Sequence, residues 1–180
     1  MKVLLAEDDR VARRLLQAHL ERWGYDVLTA ADGEGAWRVL TAHTDIEMAI
    51  VDWMMPGLDG VALCRRIRET WAERPIYLLL CTSRAEADDV VIGLNAGADD
   101  YVTKPINGPE LQARLRVGVR TISLETALHR RIAELDEALA HVQQLQGLLP
   151  ICMYCKKIRD EGDVWHNIEN YVARHADVQF

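Results

Sequence analysis

Apolar runs of strand length recur through the first part of the chain: KVLLA at 2–6, DVLTA at 26–30, EMAIV at 47–51, PIYLLLC at 75–81 and DYVT at 100–103. Most are continuous rather than alternating, the pattern of strands covered on both faces. Between them, apolar residues recur at helical spacing. Val11, Leu15, Ala18 and Leu20 precede Gly24, a helix stop. Gly35, Ala36, Val39 and Leu40 mark a second helix, Val61, Leu63, Cys64 and Ile67 a third, and Val90, Val91 and Leu94 a fourth that ends near Gly97. Strand alternating with helix, five times over, predicts an α/β domain over residues 1–120. Its core is a doubly wound five-stranded parallel sheet, with helices on both faces and right-handed crossovers.

From Gly108 the texture changes. Helix formers dominate ELQARLRVGVRTISLETALHRRIAELDEALAHVQQLQGLL, and Pro109 suits a first helical turn. Leu111, Leu115, Val119 and Ile122 form one apolar stripe. Leu128, Ile132, Leu135, Leu139, Val142 and Leu149 form another with a 4-3 alternation, Gln146 being a polar break and Thr121 and Glu125 interrupting the seam. A helix over 108–149 is expected, roughly 60 Å long at about 1.5 Å per residue. That exceeds what a domain of this size covers, so its seam needs a partner, most simply the same helix of a second chain in a parallel coiled coil; the alternative is a last domain helix followed by a loosely packed hairpin.

Chemistry is expected beyond the carboxyl ends of the strands, where an open parallel sheet gathers its function. The first strand ends in Glu7, Asp8 and Asp9, the third in Asp52, the fourth in Thr82 and Ser83, and the fifth leads into Lys104-Pro105. Carboxylates packed together raise one another's pKa, and a hard divalent cation relieves the repulsion. Mg²⁺ suits such an all-oxygen site, with Asp8 and Asp52 as direct ligands and Glu7 acting through water. A carboxylate fixed on a rigid strand beside that cation is a nucleophile toward phosphorus, and Lys104 would supply positive charge to a transferring phosphoryl group. Asp9, ahead of RVARRLL, reads as a helix N-cap instead.

The set AEDD, VDWMMPGLDG, LLLCTS and AGADDYVTKP, in that order and spacing, resembles the receiver domain of bacterial two-component response regulators, the CheY-like family. The resemblance covers about residues 1–120 and implies a flavodoxin-like fold. It implies that Asp52 is the phosphoacceptor, that Glu7 and Asp8 form the acidic pocket, and that the Met54 backbone carbonyl completes the Mg²⁺ site. It further implies Thr82 as the switch hydroxyl, Tyr101 as the switch aromatic, Lys104 as the phosphate-binding lysine and a cis Lys104-Pro105 peptide. Such a domain is regulatory rather than an enzyme, and takes its phosphoryl group from a sensor histidine kinase or a phosphotransfer protein in a phosphorelay. Arg84, two residues past Thr82, is expected to affect phosphoryl lifetime.

The totals narrow the alternatives. The chain has 180 residues, 27% of them charged, with a formal net charge of -7. The acidic balance argues against a nucleic-acid partner. No apolar stretch reaches membrane-spanning length, and the N-terminal apolar run is too short for a signal peptide, so a cytoplasmic protein with no membrane partner is expected. Of the four cysteines, Cys64 and Cys81 sit in apolar or helical contexts and read as core residues. Cys152 and Cys155 in the tail, 150–180, supply half of a Zn²⁺ ligand set. The only downstream histidines, His166 and His175, give C-x2-C-x10-H-x8-H, which fits no common finger, so ordinary unligated thiols are the favoured reading, with a redox pair as a further alternative to Zn²⁺. The tail resembles the start of a short Cys-rich module that follows some bacterial receiver and sensor domains and normally carries a second Cys pair further on. A small Mg²⁺-dependent phosphatase would need a second acid where Met54 stands, and a flavin protein a phosphate cradle where AEDDR stands. A further alternative is the regulatory N-terminal part of a longer protein, with an enzymatic or DNA-binding output beyond Phe180.

Overall fold

The computed structural model describes residues 1–72, 74–83, 87–145, 151–159 and 164–170. The chain divides into two compact units, Met1–Leu128 and His129–Phe180. In the first, β1 (Lys2–Ala6), β2 (Asp26–Ala30), β3 (Ile46–Asp52), β4 (Tyr77–Thr82) and β5 (Asp100–Thr103) alternate with α1 (Arg10–Arg22), α2 (Gly33–Ala42), α3 (Gly60–Thr70) and α4 (Ala87–Asn95). The strands form one parallel sheet in the order β2-β1-β3-β4-β5. Helix α5 runs from Gly108 to Leu145.

The continuous apolar runs are the central strands. Every residue of β4 is buried, as is all of β3 except the half-buried Glu47, whereas the edge strands β2 and β5 are mostly half-buried or exposed. Alternation along the strands builds a core on each face. Val3, Leu5, Met48, Ile50, Leu79 and Cys81 pack with Leu16 and Leu20 of α1 and with Leu111, Leu115 and Ile122 of α5. Leu4, Ala49, Val51, Leu78 and Leu80 pack with Ala36 and Leu40 of α2 and Leu63, Cys64 and Ile67 of α3. Each such side chain contributes on the order of 1.5–3 kcal/mol by leaving water.

Caps set where the helices begin. Asp9 accepts from the Val11 and Ala12 backbone N–H groups at 2.9 and 2.7 Å, Asp32 from Gly35 at 2.6 Å and Asp59 from Ala62 at 2.7 Å. Two of the expected helical faces differ from those observed. In α1, Val11 is 75% and Leu15 59% exposed, and Leu16 with Leu20 faces the sheet. Apolar residues occupy more than one side of this helix, and the 16/20 side is the one that the sheet and α5 cover. In α4, Val91 and Leu94 are exposed while Gly93 faces inward, as does Ala96 just past the helix end. A Cβ at Gly93 would lie 3.2 Å from the Trp53 ring, so the close packing surface of α4 is built from its smallest residues.

Along α5 the first stripe is inward: Leu111, Leu115 and Ile122 are buried and Val119 packs against them. Leu124, Leu128, Ile132, Leu135 and Leu139 are 47–65% exposed. The Val142 side chain, Gln146 and Leu149 lie outside what is described. In the second unit, β6 (Ile158–Arg159) and β7 (Trp165–His166) form an antiparallel pair, and an isolated bridge joins Ile151 to Ile158.

Candidate functional site

The register places the chemistry. Ala6 lies beside Val51, Asp52 beside Cys81, and Thr82 beside Thr103. Residues 7, 52, 82 and 104 therefore end or follow four adjacent strands at one edge of the sheet. Glu7, Asp52 and Thr82 are the buried polar and charged residues among those described. The β3 tip is held by a Trp53 N–H bond to the Cys81 carbonyl at 2.8 Å and a Gly60 N–H bond to the Trp53 carbonyl at 2.9 Å. Gly60 has no substitute there, because a Cβ would fall 2.2 Å from the Asp52 carbonyl oxygen. Gly57, at φ 76°, takes the left-handed turn that brings Met54–Pro56 back toward α3.

Lys104 reaches across this edge. Its Nζ lies 2.8 Å from Asp52 Oδ2 and 3.0 and 2.8 Å from the two Glu7 oxygens. The Lys104 N–H donates to the Thr82 carbonyl at 2.7 Å, and the Lys104-Pro105 peptide is cis. One ammonium thus faces two buried carboxylates. Burial raises the Glu7 pKa above the ordinary carboxylate value; the Lys104 hydrogen bond opposes this and the Asp52 charge adds to it, leaving a net rise. Burial alone would lower the Lys104 pKa, but its hydrogen bonds to Asp52 and Glu7 turn the net change upward.

Positive charge is therefore in short supply. Asp8, exposed, joins Glu7 and Asp52 so that one carboxylate oxygen of each lies within 4.8 Å of the others. An open depression of about 410 Å³ next to this cluster is lined by Asp8, Trp53, Met54, Met55, Pro56 and Asp59. An oxygen-only donor set, partly buried and partly open to water, fits a hard divalent cation that keeps part of its hydration shell. Met54 lines this depression together with Asp8, and its N–H donates to Asp52 Oδ1 at 3.3 Å.

Thr82 and Tyr101 share a face of the sheet, since Leu80 pairs with Tyr101 and Thr82 lies two residues beyond Leu80. The Tyr101 ring is half-buried, with the Arg114 guanidinium 5.5 Å from its centroid. Arg114 also pairs with Asp100 at 2.6 Å and Glu110 at 2.9 Å. Arg84 lies outside the described residues. Arg13 was not foreseen from the sequence: its guanidinium donates to the Glu7 carbonyl at 2.5 Å and the Asp8 carbonyl at 3.1 Å, fixing the acidic turn. Its position three residues into α1 was the available signal, since an early helical arginine can reach back over the cap.

Cys64 and Cys81 are buried and unpaired. Burial pushes the Cys64 thiol up to about 12 and the Cys81 thiol higher still, so neither offers a thiolate at neutral pH. Cys152 and Cys155 lie in the second unit, and among the described residues no third histidine, cysteine or carboxylate clusters with them. Also among those residues, no helix is long and apolar enough to cross a membrane.

Comparison with known proteins bears on this site. The model of the response regulator receiver domain matches residues 3–116. Transcriptional regulatory protein CseB of Streptomyces avermitilis is 44% identical over 132 residues, 73% of this chain and 54% of that protein. Alkaline phosphatase synthesis transcriptional regulatory protein PhoP of Bacillus subtilis is 40% identical over 119 residues, 66% of this chain and 48% of that protein. The chain thus spans about half the length of the curated relatives it matches. Among solved structures, the signal receiver domain of a signal transduction histidine kinase from Syntrophus aciditrophicus superposes with a TM-score of 0.61 at 32% identity. That match covers 67% of this chain and 90% of the other.

Proposed function

This chain belongs to the response regulator receiver family, and from that membership we propose that Asp52 accepts a phosphoryl group from a histidine kinase or phosphotransfer protein. Asp8, Asp52, the Met54 carbonyl and, through water, Glu7 would hold Mg²⁺. The observation that carries the reading is the convergence on Asp52, at the tip of a buried strand, of two further carboxylates and the Lys104 ammonium.

An Asp52 carboxylate oxygen attacks the donor's phosphorus. A new O–P bond forms, and the electron pair of the breaking P–N bond returns to the donor's imidazole. Mg²⁺, when bound, neutralises charge on the carboxylates and on the transferring phosphoryl oxygens. Burial of β3 fixes the nucleophile before the donor arrives, which removes part of the entropic barrier. Lys104 exchanges an Asp52 oxygen for a phosphoryl oxygen while remaining paired with Glu7. The Thr82 hydroxyl donates to another phosphoryl oxygen. Tyr101, on the same face, then moves into the space that Thr82 vacates. Phosphorylation replaces a single carboxylate charge by about -1.5 to -2 at a fixed point, enough to bias the α4–β5–α5 face between two arrangements.

The output we propose is a dimer. Helix α5 begins on the receiver and carries exposed Leu128, Ile132, Leu135 and Leu139, the residues of a two-stranded seam. A change at the α5 base alters the register or splay of the pair. A second reading draws on the relatives' printed names and on the half-length match: this chain is the regulatory part of a longer protein whose output lies beyond Phe180. The length of the full gene product separates the two.

The test is incubation with acetyl phosphate and Mg²⁺, followed by intact mass. One added phosphoryl group on the wild type and none on Asp52→Asn is expected. Equal labelling of both removes the proposal.

A further inference from the structure

We propose that Arg114 is a positioning residue that latches Tyr101 at the rim of the sheet and so opposes the phosphorylated arrangement. The inference concerns regulation of the acceptor site described above and rests on that reading. Pairing along the edge strand places the parts. Asp100 pairs with Leu79 and Tyr101 with Leu80, so the two neighbours point to opposite faces of β5. Asp100 shares the face on which Leu79 packs with Leu111 and Leu115 of α5. Tyr101 lies on the other face and packs against the core that contains Leu80 and Trp53. Arg114 belongs to α5 and starts on the Asp100 side, yet its guanidinium carbon sits over the Tyr101 ring, 5.5 Å from the centroid. Strand β5 is the last of the sheet. The side chain spans both faces by passing around that open edge, so the ring it meets stands at the edge.

Two carboxylates fix the guanidinium there. Nη1 donates to Asp100 Oδ1 at 2.6 Å, and Nε and Nη2 donate to Glu110 Oε1 at 3.0 and 2.9 Å. Asp100 Oδ1 also accepts the Tyr101 N–H at 2.8 Å, which ties the same clamp to the backbone of the switch residue. A guanidinium whose edges are held by carboxylates keeps its face for an aromatic ring. The Arg114 and Asp100 side chains are 30% and 23% exposed, so water screens the clamp less than it would a surface pair. Thr82 stands on β4, one strand further into the sheet. A ring that moves into the space Thr82 vacates leaves the edge and loses the guanidinium. The contact therefore stabilises one of two arrangements, and shifts their balance by its own free energy. Arg114 sets how much of the phosphoryl group's binding energy is spent on freeing Tyr101.

The experiment is a titration of the full chain with beryllofluoride and Mg²⁺, read by tryptophan fluorescence. Beryllofluoride occupies an aspartate carboxylate much as an acyl phosphate does. Arg114→Gln is expected to bind it about threefold to tenfold more tightly than the wild type. Loss of a positive charge alone would weaken the binding of an anion, so the sign separates a latch from simple electrostatics. Glu110→Gln, which loosens the clamp from one side, should move the affinity in the same direction by a smaller factor. In the Tyr101→Ala background, Arg114→Gln should change the affinity by less than about twofold, because the ring it releases is gone. A wild type that binds no beryllofluoride, or an Asp52→Asn chain that binds it equally well, removes the acceptor reading and the latch with it. Binding that needs Asp52, with Arg114→Gln no tighter than the wild type or tighter by the same factor without the Tyr101 ring, overturns the latch and leaves the acceptor reading standing.

Discussion

Lys104 balances two buried carboxylates at once, and that imbalance governs how the site responds to pH. The Glu7 pKa is raised on folding, so the folded chain holds a proton that the unfolded chain has already released. Between the ordinary value of 4.5 and the raised one, stability therefore falls as pH rises. Glu7→Gln removes this penalty. The metal-free variant should be more stable than the wild type at neutral pH, with the difference shrinking as pH drops through that window, read by urea midpoints. The proposed Mg²⁺ would compete with the same proton. Its affinity should weaken by up to about tenfold per pH unit below the raised Glu7 value, measured by tryptophan fluorescence, since Trp53 adjoins Asp52. Glu7→Gln should flatten that dependence, and a pH-independent wild-type affinity would contradict the shared role. The acids, Asp52, Thr82 and Lys104 were readable in the sequence because each directly ends or follows an apolar run. Their pairing was not: that one lysine spans Glu7 and Asp52 depends on a side-chain path 97 residues apart in sequence.

Helix faces were less readable than helix positions. In α3 the apolar stripe and the buried stripe coincide, because Val61, Leu63, Cys64 and Ile67 leave one side polar. In α1 and α4, apolar residues lie on more than one side, and the sequence does not say which side the sheet takes. The answer came from fit: α4 turns Gly93 inward, where a larger residue would meet Trp53 and Leu80. The same logic applies where α5 crosses the sheet. A Cβ at Gly118 would lie 2.6 Å from Tyr77 Cδ1 and 2.7 Å from Met48 Cε. Gly118→Ala gains helix propensity but must displace both side chains, so we expect a net loss of about 1–3 kcal/mol in unfolding free energy. A midpoint at or above the wild type would mean that Met48 and Tyr77 move aside freely.

For the whole molecule, the proposed two-stranded seam predicts that association and phosphoryl acceptance are separable. Ile132→Lys places a charge at an exposed seam position, 47% accessible in the single chain. Sedimentation should show a dissociation constant raised at least about a hundredfold, the equivalent of about 2.7 kcal/mol, while acetyl phosphate labelling of Asp52 stays unchanged. A dimer of undiminished strength would contradict the seam. The first apolar stripe of the sequence ends at Ile122, which is buried, and Leu124 and Leu128 beyond it are exposed. The sequence pattern did not indicate the β6–β7 pair, whose strands of two residues each are too short to leave a period. All of this presupposes a specific covalent bond, and borohydride trapping tests it most directly. The acyl phosphate is reduced to an alcohol, and peptide mapping then locates the modified residue. After Mg²⁺ and acetyl phosphate, we predict homoserine at position 52 and unmodified Glu7, Asp8 and Asp9. Reduction at one of those acids with residue 52 intact would contradict the account.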